Sequence, residues 1–465
     1  MKLTVDDVLS LDHVRTMNVA GVKRTQRLEV STDSRTAKPG SVFFAIRGEK
    51  FDGHQYIDEA FEAGAVIAVV DQRCDPGVLR NRPAVVVNDA TAALGQLANR
   101  YRRKFSIPVL AIAGSNGKTT TKDMVADVLS EKYSVLKTEG NHNNHIGVPQ
   151  TLFRMAKNHD VAVLELGTNH PGELARLCTI VEPTHGLITN IGREHLEFFR
   201  DLEGVAKEES SLFDSLAPSG TAFVNADDAG VAAKAKKLRK RVTYGFGRNR
   251  VRVHGRFLAL DENGRGSLSV RARGKRGFLV QLSVPGRHLV GNALAASAVG
   301  LALRVSPKSI QTSLRRFSAS SKRMEVRIVR GVTIIDDTYN ANPESMLAAL
   351  ETLHSMHSRG KKIAVLADML ELGKQSMREH QAVGENVGVD CLLTFGRYAR
   401  AIHESASAKT KFHYDQKNVL SEYLAELVTP GDIVLVKGSH GMAMEDVVTF
   451  LVERLNQRQR MSRTA

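Results

Sequence analysis

Residues 109–120 read Val-Leu-Ala-Ile-Ala-Gly-Ser-Asn-Gly-Lys-Thr-Thr. The first five form a short apolar run that predicts a buried strand, and apolar residues at helical spacing after residue 120 predict a helix. A strand that runs through a glycine-containing loop into a helix presents backbone N–H groups and the positive end of the helix dipole at one point. The stretch therefore predicts a loop that binds nucleotide phosphates. The expected contact residues are Gly114, Ser115, Asn116, Gly117, Lys118, Thr119 and Thr120.

Two side chains of this loop carry specific chemistry. The Lys118 ammonium can neutralise β- and γ-phosphate charge, and the Thr119 hydroxyl can bind Mg²⁺. The usual P-loop has a glycine five positions before Gly117, where this chain has Ile112, so the loop has the shorter Gly-x-x-Gly-Lys-Thr form. The alternative interpretation is a glycine-rich turn with an exposed lysine. The flanking strand and helix favour phosphate binding.

Composition is that of a globular protein, with 42% hydrophobic and 25% charged residues among 465. This length predicts several domains. No apolar run approaches the roughly 18–20 residues that a membrane span requires, and the N-terminus does not resemble a signal peptide. Three cysteines lie far apart in sequence (Cys74, Cys178 and Cys391), which argues against a disulfide framework or a zinc ribbon. We therefore expect a cytoplasmic protein with no membrane insertion.

A formal net charge of +15 suggests a polyanionic partner, either nucleic acid or a small substrate with several phosphates. Part of the excess lies between Lys234 and Arg276. Few aromatic residues that could stack on bases interleave with these cations, and no nucleic-acid-binding motif accompanies them. The stretch thus favours a solvated basic face over a nucleic-acid groove.

Short apolar runs alternate with helical patterns along the whole chain, which predicts an α/β protein. We divide it into three domains at 1–105, 106–316 and 317–465. The first is an α/β domain, the second a parallel sheet built on the P-loop, and the third a doubly wound, Rossmann-like parallel sheet. Within the second domain, residues 250–284 predict an antiparallel excursion and 292–303 an apolar helix.

Two polar residues follow predicted strands of the central domain. Glu165 ends the run Val161–Leu166, and His195 follows the strand that ends near Ile191. Ligand groups in open α/β sheets lie at the carboxyl ends of strands, and a carboxylate there can hold Mg²⁺. The alternatives are a solvated carboxylate and a structural histidine, and the residues alone leave them open.

Further stretches of the chain, together with the loop, Glu165 and His195, resemble the Mur ligases, which build peptidoglycan precursors in the cytoplasm. The stretch 336–346 is the most specific, and 367–373 and 436–439 resemble the branch that adds D-alanyl-D-alanine. The Asp-Asn-Pro-Arg signature of the ligase that adds the third residue is absent from the sequence. The resembling stretches are 31–35, 40–45, 51–54, 138–149, 165–173, 336–346, 367–373 and 436–439.

The resemblance implies roles that residue spacing does not supply. The N-terminal domain is expected to bind the UDP-muramoyl-peptide, and ATP is expected to lie between the central and C-terminal domains, which close on it. The implied ATP contacts outside the loop are Asn292, Arg323, Asp337, Tyr339 and Asn340. The implied substrate contacts are Ser34 and Arg35 for UDP, and Lys437 and Ser439 for the incoming dipeptide or the peptide carboxylate.

The implied reaction joins D-alanyl-D-alanine to UDP-N-acetylmuramoyl-tripeptide through an acyl phosphate, with ATP and Mg²⁺, in a monomeric enzyme. The expected catalytic residues are Lys118, Glu165, His195 and Glu209, and the expected metal ligands are Thr119, Glu165, His195 and Glu209. One alternative is another Mur or folylpolyglutamate-type ligase. An alternative from a different class is a P-loop ATPase that binds nucleic acid.

The sequence departs from the family pattern at two points. Mur ligases commonly have a lysine, carbamylated by CO₂, whose added carboxylate helps to hold a second Mg²⁺; here Glu209 occupies that position. We expect Glu209 to supply the carboxylate directly. Lys207 is the alternative carbamylated residue, displaced by two positions. The second departure is His440-Gly441, where this branch often has arginine first, so the dipeptide contacts at that loop are left open.

Overall fold

A computed structural model describes residues 3–12, 15–48, 51–247 and 251–464, with side chains to residue 458. Three β-sheets follow one another along the chain, each flanked by helices, as the alternation of apolar runs predicts. The expected three-domain α/β architecture is confirmed. The sequence gaps between the sheets run from 88 to 108 and from 286 to 324, and the proposed boundaries at 105 and 316 fall inside them. The boundaries themselves stay predictions.

The N-terminal sheet has six strands in the order β1-β3-β4-β5-β6-β2, parallel from β3 to β6 and antiparallel at both edges. Its strands are Leu3–Thr4 (β1), Arg15–Met17 (β2), Arg27–Ser31 (β3), Ser41–Phe44 (β4), Ala65–Asp71 (β5) and Ala84–Val87 (β6). Its helices are Val5–Leu9 (α1), Ile57–Glu62 (α2), Pro76–Leu79 (α3) and Ala90–Arg102 (α4), with 3₁₀ turns at Ser34–Thr36 and Gly53–Tyr56.

The central sheet has nine strands in the order β15-β14-β13-β12-β11-β10-β7-β9-β8. They are Val109–Ala113 (β7), Val135–Lys137 (β8), Val161–Glu165 (β9), His185–Ile188 (β10), Thr221–Asn225 (β11), Arg241–Gly245 (β12), Val253–Leu260 (β13), Arg265–Ala272 (β14) and Phe278–Pro285 (β15). The sheet is parallel from β8 to β13, and the last three strands pair antiparallel, as expected for 250–284. Arg248 and Arg250 of the basic stretch lie outside the described residues.

Helices cover both faces of the central sheet and include the expected apolar helix near residue 292. They are Lys118–Ser130 (α5), Gly147–Phe153 (α6), Glu173–Val181 (α7), Leu196–Phe199 (α8), Leu202–Asp214 (α9), Ala229–Lys234 (α10), Arg287–Ala302 (α11) and Pro307–Arg316 (α12), with a 3₁₀ turn at Ala235–Lys237. Small residues along α11 let it pack closely on α5. A Cβ at Gly300 would lie 2.6 Å from Val128 Cγ1, so only glycine fits at this crossing.

The C-terminal sheet has the order β16-β17-β21-β18-β19-β20 and is parallel except for its first strand. Its strands are Glu325–Val329 (β16), Val332–Asp337 (β17), Lys362–Ala367 (β18), Cys391–Phe395 (β19), Thr410–Tyr414 (β20) and Ile433–Lys437 (β21). Its helices are Pro343–Ser355 (α13), Ser376–Gly384 (α14), Ala399–Ser405 (α15), Lys417–Leu427 (α16) and Glu445–Thr464 (α17), with 3₁₀ turns at Gly373–Gln375 and His440–Met442.

Strand order decides which loops meet. β7 lies between β9 and β10, so the P-loop after β7 adjoins the loops that follow both neighbours. In the C-terminal sheet, β21 returns between β17 and β18 and places Lys437 opposite Asp337. None of the helices in the described part of the chain is long and apolar enough to cross a bilayer.

The junction of the first two domains depends on a buried arginine. The Arg102 guanidinium donates to three carbonyl oxygens, those of Val181 (3.1 Å), Phe105 (2.7 Å) and Glu182 (3.4 Å). It thereby ties the end of α4 to the end of α7. Burial lowers the pKa of this guanidinium, but no other side chain type offers the same fork of donors.

We expect Arg102→Met to lower the free energy of unfolding by about 2–3 kcal/mol, because buried carbonyls lose their donors. Chemical denaturation measures it. Arg103→Met is the matched control, since Arg103 is exposed and pairs with Glu182 at the surface, and its loss should cost less than about 1 kcal/mol. Equal effects of the two substitutions would contradict this role for Arg102.

Candidate active site

The P-loop begins with a glycine that no other residue can replace without strain. Gly114 has φ +116°, and a Cβ there would lie 2.3 Å from Thr189 Oγ1. Its N–H donates to Glu209 Oε2 at 2.5 Å, and the next N–H, of Ser115, donates to the carbonyl of Asn190 at 3.0 Å. Gly117, at φ +78°, is the N-cap of α5. Contacts from the loop after β10 and from α9 thus fix the loop's conformation.

Lys118 points into a cluster of buried carboxyl groups. Its ammonium lies 3.4 Å from Glu194 Oε2 and 3.4 Å from the carbonyl of Ser115. Burial alone would lower its pKa, but Glu194, Glu209 and Glu165 together raise it above the ordinary value. Lys118 is therefore a fixed positive charge at the place where the P-loop would hold phosphate oxygens.

Glu209 is almost fully buried, with 1% of its surface exposed. Burial, together with the nearby carboxyl of Glu194, raises its pKa to about 8 against the opposing effect of Lys118. Lys207, two residues earlier on α9, is exposed. Of the two residues that the sequence offers for the third carboxylate, the structure places Glu209 beside the P-loop and Lys207 in solvent.

Glu165 ends β9 directly beside the P-loop. Its Oε1 accepts from the Thr119 hydroxyl at 3.0 Å and from Asn143 Nδ2 at 2.8 Å, while its backbone N–H donates to Thr138 Oγ1. Its Oε2 is buried and has no hydrogen-bond partner among the described residues, and the same holds for Glu194 Oε1. Buried carboxylate oxygens that accept no hydrogen bond are unusual, and a bound cation would stabilise these two.

His195 lies at the edge of this carboxyl cluster, between Glu194 and the C-terminal domain. It adopts a left-handed conformation with φ +48°, and its Nδ1 forms a short hydrogen bond with Glu371 of the C-terminal domain. That hydrogen bond lowers the pKa of Glu371. Its Nε2 is 4.0 Å from Glu194 Oε2. Within the described ranges, no three His, Cys, Asp or Glu side chains form a group that could hold a metal by themselves.

The implied ATP contacts outside the P-loop come from α11, from the segment just before β16, and from the end of β17 and the loop that follows it, and we call them the adenosine wall. The Arg323 guanidinium lies over the Tyr339 ring, 3.6 Å from its centroid. Asn292 faces Gly117, with its Oδ1 3.0 Å from where a Cβ of that glycine would lie. Asp337 accepts from the backbone N–H of Met324 at 3.0 Å. Arg323, Asp337 and Asn292 therefore lie on one wall, although 31 or more residues separate Asn292 from the other two in sequence.

The stretch 336–346 fixes this wall to the P-loop. Asn342 caps α13 through the N–H of Ser345, and its Nδ2 donates to Asn116 Oδ1 across the domain boundary at 2.9 Å. Glu344, on the first turn of α13, accepts from Arg193 at 2.7 Å. The stretch 336–346 therefore forms part of the interface between the central and C-terminal domains as well as part of the adenosine wall.

The two residues expected to bind the incoming dipeptide make contacts within the C-terminal domain. The Lys437 ammonium donates to Asp337 Oδ2 at 2.6 Å and to the carbonyl of Asn340 at 2.8 Å. The Ser439 hydroxyl accepts from the N–H of Leu370 and donates to the carbonyl of Ala341. Both residues line the cavity. A direct contact with the substrate stays a prediction.

Ser34 and Arg35 lie in the N-terminal domain, outside the residues that line the cavity. The Ser34 hydroxyl donates to Glu59 at 3.0 Å, and Arg35 is exposed and pairs with Asp33. Thr32, just before them, accepts from Gln150 of the central domain at 2.8 Å. The segment therefore lies at the junction with the central domain, and its role in binding UDP stays a prediction.

A single cavity of about 870 Å³ collects these groups. Its lining comes from the P-loop and Glu165, from α11, and from the C-terminal domain. Arg193 holds the C-terminal domain in place with two ion pairs, to Glu344 at 2.7 Å and to the buried Glu379 at 2.8 Å. The lining contains every expected P-loop, metal and ATP residue except Gly114 and Glu209, and these two are joined behind it by the hydrogen bond from the Gly114 N–H to Glu209.

Sequence reasoning missed four side chains of this site: Glu194, Glu371, Asn143 and His288. Burial lowers the pKa of His288 to about 4, and its Nδ1 has no hydrogen-bond partner among the described residues. Asn143 and Glu371 stand inside the resembling stretches 138–149 and 367–373, whereas Glu194 lies outside those stretches. The signal available for Glu194 was its position next to His195, and for Asn143 its position in the loop before β9.

Comparisons with known proteins agree with this architecture. The model of the Mur ligase family catalytic domain matches residues 29–102, that of the Mur ligase middle domain matches 112–300, and that of the Mur ligase glutamate ligase domain matches 322–440. Each match falls on one of the three sheets.

The chain is 35% identical over 434 residues to the UDP-N-acetylmuramoyl-tripeptide–D-alanyl-D-alanine ligase of Bacillus subtilis, covering 91% of this chain and 93% of that protein. The fold of this chain is similar to that of MurF from Acinetobacter baumannii, with a TM-score of 0.88, 30% identity, and coverage of 97% of this chain and 99% of that chain. It is also similar to the MurF ligase from Thermotoga maritima in complex with ADP, with a TM-score of 0.82, 29% identity, and coverage of 92% and 98%.

We expect Arg193→Ala to raise the half-saturating ATP concentration by roughly tenfold to a hundredfold, because two charge-assisted contacts that hold the ATP wall in place are lost. Steady-state kinetics measures it, and small-angle scattering should show a more open particle. Arg378→Ala is the matched control, because Arg378 is exposed on the helix that carries Glu379. Unchanged kinetics and scattering in Arg193→Ala would show that these contacts do not control closure.

Proposed function

The chain belongs to the Mur ligase family, and we propose that it joins D-alanyl-D-alanine to UDP-N-acetylmuramoyl-tripeptide, converting ATP to ADP and phosphate, in the synthesis of peptidoglycan precursors. One observation carries the proposal. A partly buried lysine on a phosphate loop faces carboxyl groups with unsatisfied oxygens, inside a cavity closed by a domain that carries an adenosine wall. Such an arrangement supplies the positive charge that a carboxylate needs in order to attack the negatively charged phosphate of ATP.

The reaction must bring two anions together. The terminal carboxylate of the tripeptide attacks the γ-phosphorus of ATP, which forms an acyl phosphate and releases ADP. The amine of D-alanyl-D-alanine then attacks the acyl carbon, and phosphate leaves as the amide bond forms. The enzyme's main contribution is charge neutralisation and alignment.

The P-loop and Lys118 supply the fixed part of that neutralisation. The ammonium is held by Glu194 and by the carbonyl of Ser115, so it points at the phosphates before they bind. Such preorganised charge costs no reorganisation during the reaction. The contact between Asn342 and Asn116 keeps the adenosine wall at a fixed distance from the loop.

The residues present fit Mg²⁺. Thr119 and Glu165 already lie together, and Glu165 Oε2 and Glu194 Oε1 lack partners among the described residues. Mg²⁺ usually takes only one or two carboxylates from the protein and completes its shell with water and substrate phosphates, so a cage of three acidic or imidazole ligands is not required. Bound there, it would neutralise phosphate charge and orient the attacking carboxylate. We propose Glu209 and His195 as further ligands.

The remaining assignments concern the oligomeric state, the location and the partners of the protein. Both halves of the proposed ATP site come from one chain, which supports a monomer. The three cysteines are unpaired, which supports a cytoplasmic location. A UDP-bearing, multiply acidic substrate accounts for part of the basic balance. The nucleic-acid-binding alternative has less support, because Phe278, the aromatic residue of the basic hairpin around Arg271, Arg273 and Lys275, packs against the hydrophobic core instead of forming an open platform for bases.

Release of phosphate from ATP should require both UDP-N-acetylmuramoyl-tripeptide and D-alanyl-D-alanine. Lys118→Ala should lower kcat by roughly 10²–10³-fold or more, because the transferring phosphate loses its fixed positive charge, with an unchanged far-ultraviolet circular dichroism spectrum. Lys157→Ala, an exposed lysine on the same domain, should match the wild type. Phosphate release with neither substrate, or with DNA alone, would refute the proposed function.

A second prediction concerns the carboxylate of Glu209. Wild-type turnover should be the same in CO₂-depleted and bicarbonate-containing buffer, since no lysine needs to be carbamylated. Glu209→Ala should lose turnover, whereas Glu209→Lys should regain part of it when bicarbonate is added. Lys207→Ala should behave as wild type because Lys207 is exposed. A CO₂-labile adduct on Lys207 by mass spectrometry would show that the carboxylate has been assigned to the wrong residue.

A further inference from the structure

One end of the cavity is built from the loops after β8 and β9, and we call it the acceptor end. Asn143 and Asn144 come from the first loop, Asn169 from the second, and Arg176 from the helix that follows it. The adenosine wall, from α11 and the C-terminal domain, lies across the P-loop from these residues. The acceptor end is therefore where the part of the acceptor beyond its reacting carboxylate would lie.

Arg176 is a permanent cation in this end without an anionic partner. It lies on α7, is exposed, and lines the cavity. Among the residues that the structure describes, no carboxylate comes within 4.0 Å of its guanidinium, and no acceptor within hydrogen-bonding distance. The other arginine of the lining, Arg323, differs because it lies over the Tyr339 ring.

Glu173 stands three residues before Arg176 on the same face of α7. Its Oε2 accepts from the backbone N–H groups of Asn169 and His170, at 2.8 and 3.1 Å, which fixes the carboxylate at the start of the helix. Its Oε1 lies 3.6 Å from His170 Nδ1 and forms no ion pair with Arg176. A cation and an anion thus stand side by side in the acceptor end, each able to bind a group of opposite charge.

The reacting carboxylate cannot be the partner of Arg176, because it must meet the γ-phosphate at Lys118 and Thr119. A second carboxylate, further along the acceptor, is required. A guanidinium binds carboxylate through two parallel hydrogen bonds, so Arg176 suits such a group, and Glu173 suits an adjacent ammonium. A side chain that ends in both charges is that of a diamino dicarboxylic acid.

We propose that Arg176 binds a distal carboxylate on the third residue of the tripeptide, so that the preferred acceptor carries diaminopimelate rather than lysine at that position. The inference rests on the proposed function and adds the identity of the third residue. Lysine offers only the ammonium, and it would leave the guanidinium facing a positive charge without a carboxylate between them.

The test compares two acceptors that differ only at the third residue, with wild type and Arg176→Ala. Wild type should show a kcat/KM for the diaminopimelate acceptor roughly tenfold to a hundredfold above that for the lysine acceptor. Arg176→Ala should remove most of this difference, mainly by raising KM for the diaminopimelate acceptor, while turnover of the lysine acceptor is kept. Arg378→Ala, at an exposed position on α14, is the control and should retain the wild-type ratio.

Two results would overturn the proposal. The first is that wild type uses both acceptors with equal kcat/KM. The second is that Arg176→Ala lowers kcat/KM for both acceptors equally, which would mean that Arg176 binds a carboxylate or phosphate that the two acceptors share. Failure of wild type to use either acceptor is a separate outcome, which would refute the proposed function and the specificity with it.

Discussion

The ammonium of Lys118 is held among buried carboxyl groups, and the rest of the site is arranged around that constraint. A buried positive charge needs compensation, and a buried carboxyl group needs a cation or a proton. Glu194, Glu209 and Glu165 raise the pKa of Lys118, while burial and Glu194 raise the pKa of Glu209. The cluster holds more acidic groups than one lysine can balance. That excess is what makes the pocket suitable for a divalent cation and for the phosphates that arrive with it.

The carboxyl cluster around Lys118 also explains why the P-loop and α9 are conformationally constrained. Gly114 must be glycine because a Cβ there would lie 2.3 Å from Thr189 Oγ1, and its N–H donates to Glu209. Glu208, the neighbour of Glu209 on α9, accepts from the Thr168 hydroxyl and from the N–H groups of Gly172 and Leu174. Adjacent carboxylates on one helix thus fix the P-loop and the loop of the acceptor end. The position of α9 therefore couples the nucleotide side of the cavity to the acceptor side.

The C-terminal domain completes the site through polar contacts, beside an apolar contact in which Leu196, Phe199 and Val205 pack against its core. Arg193 pairs with Glu344 and Glu379, His195 with Glu371, and Asn342 with Asn116. Contacts of this kind can form and separate as a domain moves, which suits an enzyme that must admit three substrates and then exclude water. The loop that carries Glu371 is itself held from within its domain, because Asp368 accepts from the N–H groups of Tyr398 and Ala399.

The sequence by itself determined the three α/β sheets, the P-loop and the family, because each depends on local pattern: apolar runs of strand length, glycine spacing, and motifs that stay together along the chain. It also marked Glu209 as the residue at the position of the missing lysine. Only the tertiary structure decided which side chains meet. Lys118 and Glu194 are 76 residues apart, and Gly114 and Glu209 are 95 apart, and they come together because β7 lies between β9 and β10. The order of strands in a sheet leaves no local trace in the sequence. The pairing of Lys437 with Asp337, the contact of His195 with Glu371 and the lack of an anionic partner for Arg176 among the described residues therefore appear only in the folded chain.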